Sequence, residues 1–216
     1  MFGVSELWGR LVAPLFGLGA AMGTQALFQR LWPEEPERAQ LAPWIVFGAL
    51  LWALIGTVTM FDMLNAFFAL GAVTGVVLAW RGRNVAGWIL CALCLGVGAV
   101  SKGPGILVYT LPVALLAPWW MQDPDQDWIR WYMSATAATV LGAALALAWA
   151  LPASAAGGEE YGAAILWGQT GGRLTNSFAH ERPFWWYLLI LPLALFPWVA
   201  WPRVWAGLRG KWRNAD

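Results

Sequence analysis

Long apolar runs constrain the fold of this chain more than any other sequence feature. A transmembrane helix needs about 20 apolar residues, because it rises about 1.5 Å per residue and must cross about 30 Å of hydrocarbon. Five such runs are clear, at residues 11–31, 41–60, 63–80, 133–151 and 185–201. Since 60% of the 216 residues are hydrophobic and 12% are charged, we predict an all-α, polytopic transmembrane helix bundle.

A sixth apolar stretch, residues 87–120, is too long for one span and is interrupted by the sequence SKGPG at 101–105. We interpret it as two short spans that meet at a polar break, which brings the count to about seven. The whole chain, 1–216, is then one transmembrane domain. An outer loop over 152–184 separates the last two spans.

The basic residues indicate the orientation of the bundle, because loops on the cytoplasmic side of a membrane collect Lys and Arg. With the N-terminus outside, nine basic residues lie on the cytoplasmic side and four on the outer side. The outer four are Arg10, Lys102, Arg173 and Arg182. We therefore predict a multi-pass protein of a bacterial inner membrane, with a cytoplasmic C-terminus and a site that faces the periplasm or exterior.

Composition disfavours several kinds of site. A net charge of +1 gives no electrostatic attraction for nucleic acid, so no nucleic-acid partner is expected. Cys91 and Cys94 lie three residues apart in an apolar helix, but no second Cys pair accompanies them, and core packing is the favoured interpretation. His180 is the only histidine and cannot build a zinc site alone. No metal site is predicted.

Polar residues gather at three places that the topology puts on the same membrane face. The first is the sequence TMFD at 59–62, where Asp62 lies between two spans. Aspartate at such a turn can cap the following helix, since a carboxylate favours the positive end of the helix dipole. A role for Asp62 in a site is the alternative, and the two roles are compatible.

The second place is the SKGPG break, which holds Lys102, the only lysine in the apolar part of the chain. Ionisable residues at membrane depth are costly and usually mark a function. Glycine and proline at a helix start bring free N–H groups and the ammonium near an anion, for which a lipid-borne phosphate is the natural candidate. The alternative is a lysine that snorkels to the interface beside an ordinary turn.

The third place is the outer loop over 152–183, which contains Arg173, His180, Glu181 and Arg182 among aromatic side chains. Aromatic faces with hydrogen-bonding neighbours suit a sugar, and the planar guanidinium of arginine suits a phosphate. A segment lying in the headgroup layer with its tryptophans as anchors is the other interpretation.

Taken in order, the sequences TMFDM, SKGPG, WGQTGGRLTNSFAHERPFWWY and LPLALFPWVAWP resemble glycosyltransferase family 39, which holds the aminoarabinose transferases and protein mannosyltransferases. The likeness implies a membrane-embedded glycosyltransferase of the GT-C type. Such an enzyme takes a sugar from a polyprenyl-phosphate donor and transfers it, with inversion, to a lipid A, protein or glycan acceptor.

By this resemblance, Lys102 and Arg173 are expected near the phosphate. Asp62, His180, Glu181 and Arg182 are expected among the polar groups that line the site. No cofactor is certain, although a divalent metal ion could bridge Asp62 to the phosphate.

The chain also departs from the family pattern. Family members carry an essential acidic residue on a large outer loop after a first helix, and neither matches this sequence. The resemblance therefore implies an internal segment that lacks the first helix, the first outer loop and the C-terminal part. The catalytic residue is unknown, and we expect little transferase activity from the chain alone.

Other functions fit the same residues. A seven-span transporter or channel could place Lys102 and Asp62 on an ion or proton path. The clustering of polar residues on one face favours a transferase, because a transport path needs polar groups toward both faces. A polyprenyl-dependent ligase and a noncatalytic scaffold are further alternatives.

Overall fold

The computed structural model describes residues 6–56, 61–121, 123, 125–165, 168 and 183–213. Within these residues the chain forms helices and no strand. In chain order the helices are α1 (Glu6–Leu31), α2 (Pro36–Ala39), α3 (Ala42–Phe47), α4 (Leu50–Gly56), α5 (Asp62–Trp80), α6 (Asn84–Lys102), α7 (Ile106–Leu115), α8 (Ala117–Trp120), α9 (Trp128–Ala163), α10 (Phe184–Ala194) and α11 (Pro202–Arg213).

The predicted helix bundle is confirmed, with fewer full-length crossings than the apolar runs suggested. In the described part of the chain, four helices are long and apolar enough to span a membrane: Gly9–Leu31 within α1, α5, α6 and α9. A bent pair, Pro36–Phe47 and Leu50–Gly56, makes a fifth if it is counted as one span. The helices α7 and α10 are apolar but too short to cross alone.

The helices α5 and α6 form the centre of the bundle and approach each other through glycines. A Cβ atom on Gly75 would lie 2.5 Å from the carbonyl oxygen of Gly87 and 2.7 Å from the backbone nitrogen of Cys91. Both cysteines are buried in this core and form no disulfide. Small side chains therefore set the close antiparallel packing that holds the ends of α5 and α6 in register.

Helix α9 is held against α7 by indole and phenol hydrogen bonds. The buried Trp131 donates from Nε1 to the carbonyl oxygen of Ala114 at 3.0 Å, and the Tyr132 hydroxyl donates to that of Leu115 at 3.0 Å. Buried backbone carbonyls need such donors in the absence of water. The start of α9 is thus fixed to the end of α7.

Helix α9 continues well beyond the end of its predicted apolar run. It has 36 residues, and its helical φ/ψ angles are interrupted at Gly158, where φ is 84°. Residues 152–163, the first part of the predicted outer loop, are helical. The alanine-rich sequence favours helix, and Ser154 donates to the carbonyl oxygen of Leu151 at 2.9 Å beside Pro152.

The last part of the described chain returns to the bent pair. Trp198 donates from Nε1 to the carbonyl oxygen of Ile45 at 2.8 Å, and the backbone nitrogen of Leu50 donates to that of Phe196 at 2.8 Å. The chain bends by 66° between α3 and α4 at this contact. The single span predicted over 41–60 is therefore two short helices in its described part.

Candidate functional site

Asp62 and Lys102 come together at one end of the α5–α6 pair, although 40 residues separate them. The Lys102 ammonium donates to the Asp62 carboxylate. The two side chains remain 37% and 38% exposed, so neither charge is sealed into the protein. The structure thus joins two of the residues that the sequence placed on one membrane face.

The backbone supports each charge of this pair. Asp62 is the first residue of α5, and Lys102 is the last residue of α6. The N-terminus of a helix favours an anion and the C-terminus favours a cation. Asp62 does not act as the N-cap, because Phe61 occupies that position and makes no capping side-chain hydrogen bond.

The predicted polar break lies directly after Lys102. Gly103 follows the last residue of α6 as its C-cap, and its φ of 80° and ψ of −174° suit glycine and disfavour other residues. Helix α7 begins at Ile106, three residues later. Ser101 donates to the carbonyl oxygen of Gly98 at 2.7 Å, so its hydroxyl is used within α6. This local geometry presents the Lys102 ammonium at a turn.

A cavity of about 940 Å³ opens beside the ion pair. Both Asp62 and Lys102 line it, and most of its remaining wall is apolar, including Leu95, Leu107 and Leu147. A volume of this size lies in the range of ligand sites. The cavity therefore combines a long apolar wall with charged groups at one end.

Helix α9 supplies the wall that faces the ion pair, and the sequence analysis missed this contribution. Thr139, Ala143, Ala146 and Ala150 line the cavity at helical spacing, so small side chains along one face leave room for a ligand. Tyr161 lines it beyond the break at Gly158. The glycine pair at 157–158 was the available signal, because glycine inside a helical pattern often marks a bend.

The remaining predicted site residues lie outside the described part of the chain. They are Arg173, His180, Glu181 and Arg182. Their predicted roles therefore stay predictions.

The described residues offer little to a resident metal ion. No group of three or more His, Cys, Asp and Glu side chains able to hold a metal occurs among them. Asp62 is the one carboxylate on the described cavity wall, and it already pairs with an ammonium. This donor set does not fit a permanently bound divalent cation, which prefers several oxygen ligands.

A second cavity, of about 410 Å³, lies between α1, α5 and the α7–α8 region. Its described lining is entirely apolar or aromatic: Leu27, Leu31, Val73, Val77, Pro112, Val113, Leu116 and Trp120. Lacking an ionisable side chain on this wall, it suits a hydrocarbon chain and offers nothing to orient a charged group.

The fold and the larger cavity define a polytopic membrane protein whose cavity suits an anionic amphiphile. An ammonium can bind a phosphate through charge-assisted hydrogen bonds, while the apolar wall contacts a hydrocarbon chain. The Asp62 carboxylate is the partner of Lys102 in this structure.

Sequence comparison agrees with this class. The chain is 30% identical over 181 residues to the undecaprenyl phosphate-alpha-4-amino-4-deoxy-L-arabinose arabinosyl transferase of Pseudomonas aeruginosa strain UCBPP-PA14, covering 80% of this chain and 31% of that protein. It is 28% identical over 180 residues to the transferase of the same name from Serratia proteamaculans, covering 81% and 31%.

A third relative is arabinosyl transferase 2 of Pseudomonas fluorescens, 30% identical over 122 residues, which are 55% of this chain and 21% of that protein. The chain thus spans less than a third of the length of these relatives. No family model and no solved structure matches it. The predicted resemblance to the aminoarabinose transferases is confirmed.

Proposed function

We propose that the chain binds a polyprenyl-phosphate-linked sugar and takes part in transferring that sugar to an acceptor at the outer face of a bacterial inner membrane. The observation that carries the proposal is the position of the Asp62–Lys102 pair at the charged end of an apolar cavity. The names of the relatives suggest undecaprenyl phosphate as the carrier and 4-amino-4-deoxy-L-arabinose as the sugar.

In this proposal each part of the carrier contacts a different part of the cavity. Its isoprenoid chain lies against Leu95, Leu107 and Leu147. Its phosphate replaces the Asp62 carboxylate as the partner of Lys102. Arg173 and Arg182 are further candidates for the phosphate, and His180 and Glu181 for the sugar.

The transfer itself makes one bond and breaks another. The acceptor hydroxyl oxygen bonds to the anomeric carbon, the bond from that carbon to the phosphate oxygen breaks, and the configuration inverts. The leaving phosphate gains negative charge, which the Lys102 ammonium stabilises. The acceptor proton passes to a carboxylate base, which we leave unassigned because Asp62 is already paired with Lys102.

The proposal extends to the acceptor and the orientation. The acceptor is lipid A, a protein hydroxyl or another glycan. The cavity faces the periplasm or exterior, and α11 lies on the cytoplasmic side, as the distribution of basic residues predicts. Turnover by the purified chain should be small, since its described cavity wall offers one carboxylate, already in an ion pair.

A transporter or channel with an ion path is the less favoured function. A continuous path would need polar groups along its length. The described lining of the second cavity carries none that ionises, and the charges of the first cavity stand at one end. These observations support a site for a lipid-borne substrate over a transport path.

The deciding experiment measures binding of radiolabelled undecaprenyl phosphate to the purified chain in lipid nanodiscs. Lys102→Ala should weaken binding by about tenfold or more, because a hydrogen bond to a charged group contributes about 1.5–3 kcal/mol. Lys102→Arg should keep most of the affinity, since it keeps the charge. Unchanged binding in both variants would remove Lys102 from the site.

The sequence leaves open a divalent ion that bridges Asp62 to the phosphate, and chelation tests it. Because no cluster of ligands occurs among the described residues, we expect EDTA to change carrier affinity by less than about twofold, which corresponds to about 0.4 kcal/mol. A larger loss, restored by added Mg²⁺, would place a metal ion between Asp62 and the phosphate.

A further inference from the structure

The described contacts of the last helix, α11, are at its beginning. Its contacts within the described chain are chiefly with the short 3₁₀ turn Trp198–Ala200 that precedes it. The side chains of residues 202–207 are all exposed. A helix of 12 residues is marginal in water without packing, so α11 needs a surface to lie on.

The sequence of α11 has two distinct faces. At about 100° per residue, the helical positions of Val204, Trp205, Leu208 and Trp212 fall within an arc of about 100°. Its basic residues lie outside this arc, at positions Arg203, Arg209, Lys211 and Arg213. The helix contains no acidic residue. An apolar strip bordered by four cations is typical of helices that lie in a membrane interface.

Tryptophans fix the start of α11 at the edge of the bundle. Trp198 and Trp201 stack with their ring centroids 5.7 Å apart. Trp205 donates from Nε1 to the carbonyl oxygen of Val199 at 2.7 Å, and Trp198 is tied to Ile45 of α3. Tryptophan is enriched where hydrocarbon meets headgroups, so this group marks the depth at which α11 leaves the bundle.

The position of Ile45 identifies the end of the bundle. Helix α3 follows the C-terminal end of α1, and Arg81 at the end of α5 donates to the carbonyl oxygens of Arg30 and Leu31 in α1. Helix α11 therefore starts near the end of the bundle opposite the Asp62–Lys102 pair. Its cations add to the basic residues of that side.

We propose that α11 lies flat on the membrane surface and binds anionic phospholipid headgroups. Its apolar strip enters the boundary between headgroups and acyl chains, and its four cations contact lipid phosphates. Charge complementarity selects this occupant: a purely apolar protein groove would leave the cations without partners, whereas an anionic lipid surface attracts basic residues.

Site-directed spin labelling of the full chain in nanodiscs tests the proposal. Single cysteines would replace residues 203–212 one at a time, in a background carrying Cys91→Ala and Cys94→Ala. Oxygen accessibility should peak at 204, 205, 208 and 212, and accessibility to an aqueous nickel complex should peak at 203, 206 and 210, on the opposite face of the helix. Uniform access to nickel would overturn the proposal, and so would low access to both reagents, which would mean that protein covers the helix.

Lipid composition separates binding of anionic headgroups from simple insertion. Nanodiscs of phosphatidylcholine would be compared with nanodiscs of a mixture that contains phosphatidylglycerol. The anionic mixture should lower nickel access at 204 and 208, because each cation near an anionic surface raises the ratio of membrane-bound to unbound helix roughly fivefold. Replacing the four basic residues by glutamine should abolish this response, while Lys at the three Arg positions should keep it. The same nickel access in both lipids would overturn the role of anionic headgroups.

Discussion

The two ends of the α5–α6 pair each carry a prominent cation, and the two cations are used differently. Arg81 donates from Nε to the carbonyl oxygen of Arg30 at 3.0 Å and from Nη2 to that of Leu31 at 2.8 Å. Its guanidinium also lies 4.4 Å from the Trp80 ring centroid. Lys102 has instead a carboxylate partner beside a cavity. A cation that caps backbone carbonyls serves the fold, whereas one with an exchangeable anion can serve a ligand.

The two cavities extend this comparison. The cavity beside Lys102 has charged groups at one end of an apolar wall, and the cavity between α1, α5 and α7 has an apolar described wall throughout. A hydrocarbon chain could enter either. Of the two described walls, that of the first cavity holds a cation and that of the second holds none, and this difference gives the first experiment below its control.

The largest expected effect comes from filling the larger cavity. Ala146→Trp would place an indole where the proposed isoprenoid chain lies, and we expect at least a hundredfold loss of undecaprenyl phosphate affinity, about 2.7 kcal/mol. Val113→Trp fills the second cavity and should leave that affinity within about twofold. Equal losses in both variants would show that overpacking, and not occupancy of the site, is responsible.

The next largest effect is on the free energy of unfolding, and it distinguishes Arg81 from Lys102. Arg81→Ala should lower the free energy of unfolding by about 1 kcal/mol, because it removes charged hydrogen bonds to exposed carbonyls. Carrier affinity should stay unchanged. Thermal unfolding in detergent and the nanodisc binding assay measure the two quantities. A loss of affinity as large as that of Lys102→Ala would erase the distinction between the two ends.

The smallest effect concerns the partner of Lys102. Asp62→Asn removes the anion that competes for the ammonium, so we expect carrier affinity to rise by roughly threefold, as for the loss of a partly exposed ion pair. The same titration measures it. A marked fall in affinity would mean that Asp62 orients Lys102 for the phosphate and does not compete with it.

The sequence predicted best those features that depend on local composition. The run at 63–80 matches α5 to within one residue, and the break at 101–105 coincides with the end of α6 at Lys102 and the start of α7 at Ile106. The length of an apolar run and the positions of glycine and proline can be recognised without knowing which residues are in contact in the folded chain. The Asp62–Lys102 pairing was predicted only as a shared membrane face, because the register of α5 against α6 depends on packing at Gly75 and Gly87.

Features that depend on distant contacts could not be predicted. The run at 41–60 is uniformly apolar, yet its described part is divided into α3 and α4 where Trp198 and Phe196 bond to it from more than 140 residues away. The contribution of α9 to the cavity wall was not predicted from the sequence for a similar reason. Alanines such as Ala143 and Ala146 carry no chemical signal until the opposite wall is known.

The length of α9 has a consequence for any molecule in the larger cavity. Its segment before the break at Gly158, residues 128–157, would extend about 45 Å if straight, against about 30 Å of hydrocarbon, so an upright segment reaches beyond the acyl chains. Residues from Thr139 to Tyr161 along this one helix line the same cavity. An amphiphile there would contact α9 on both sides of the break at Gly158, with its hydrocarbon chain beside the apolar segment and its polar head beside the segment that follows the break.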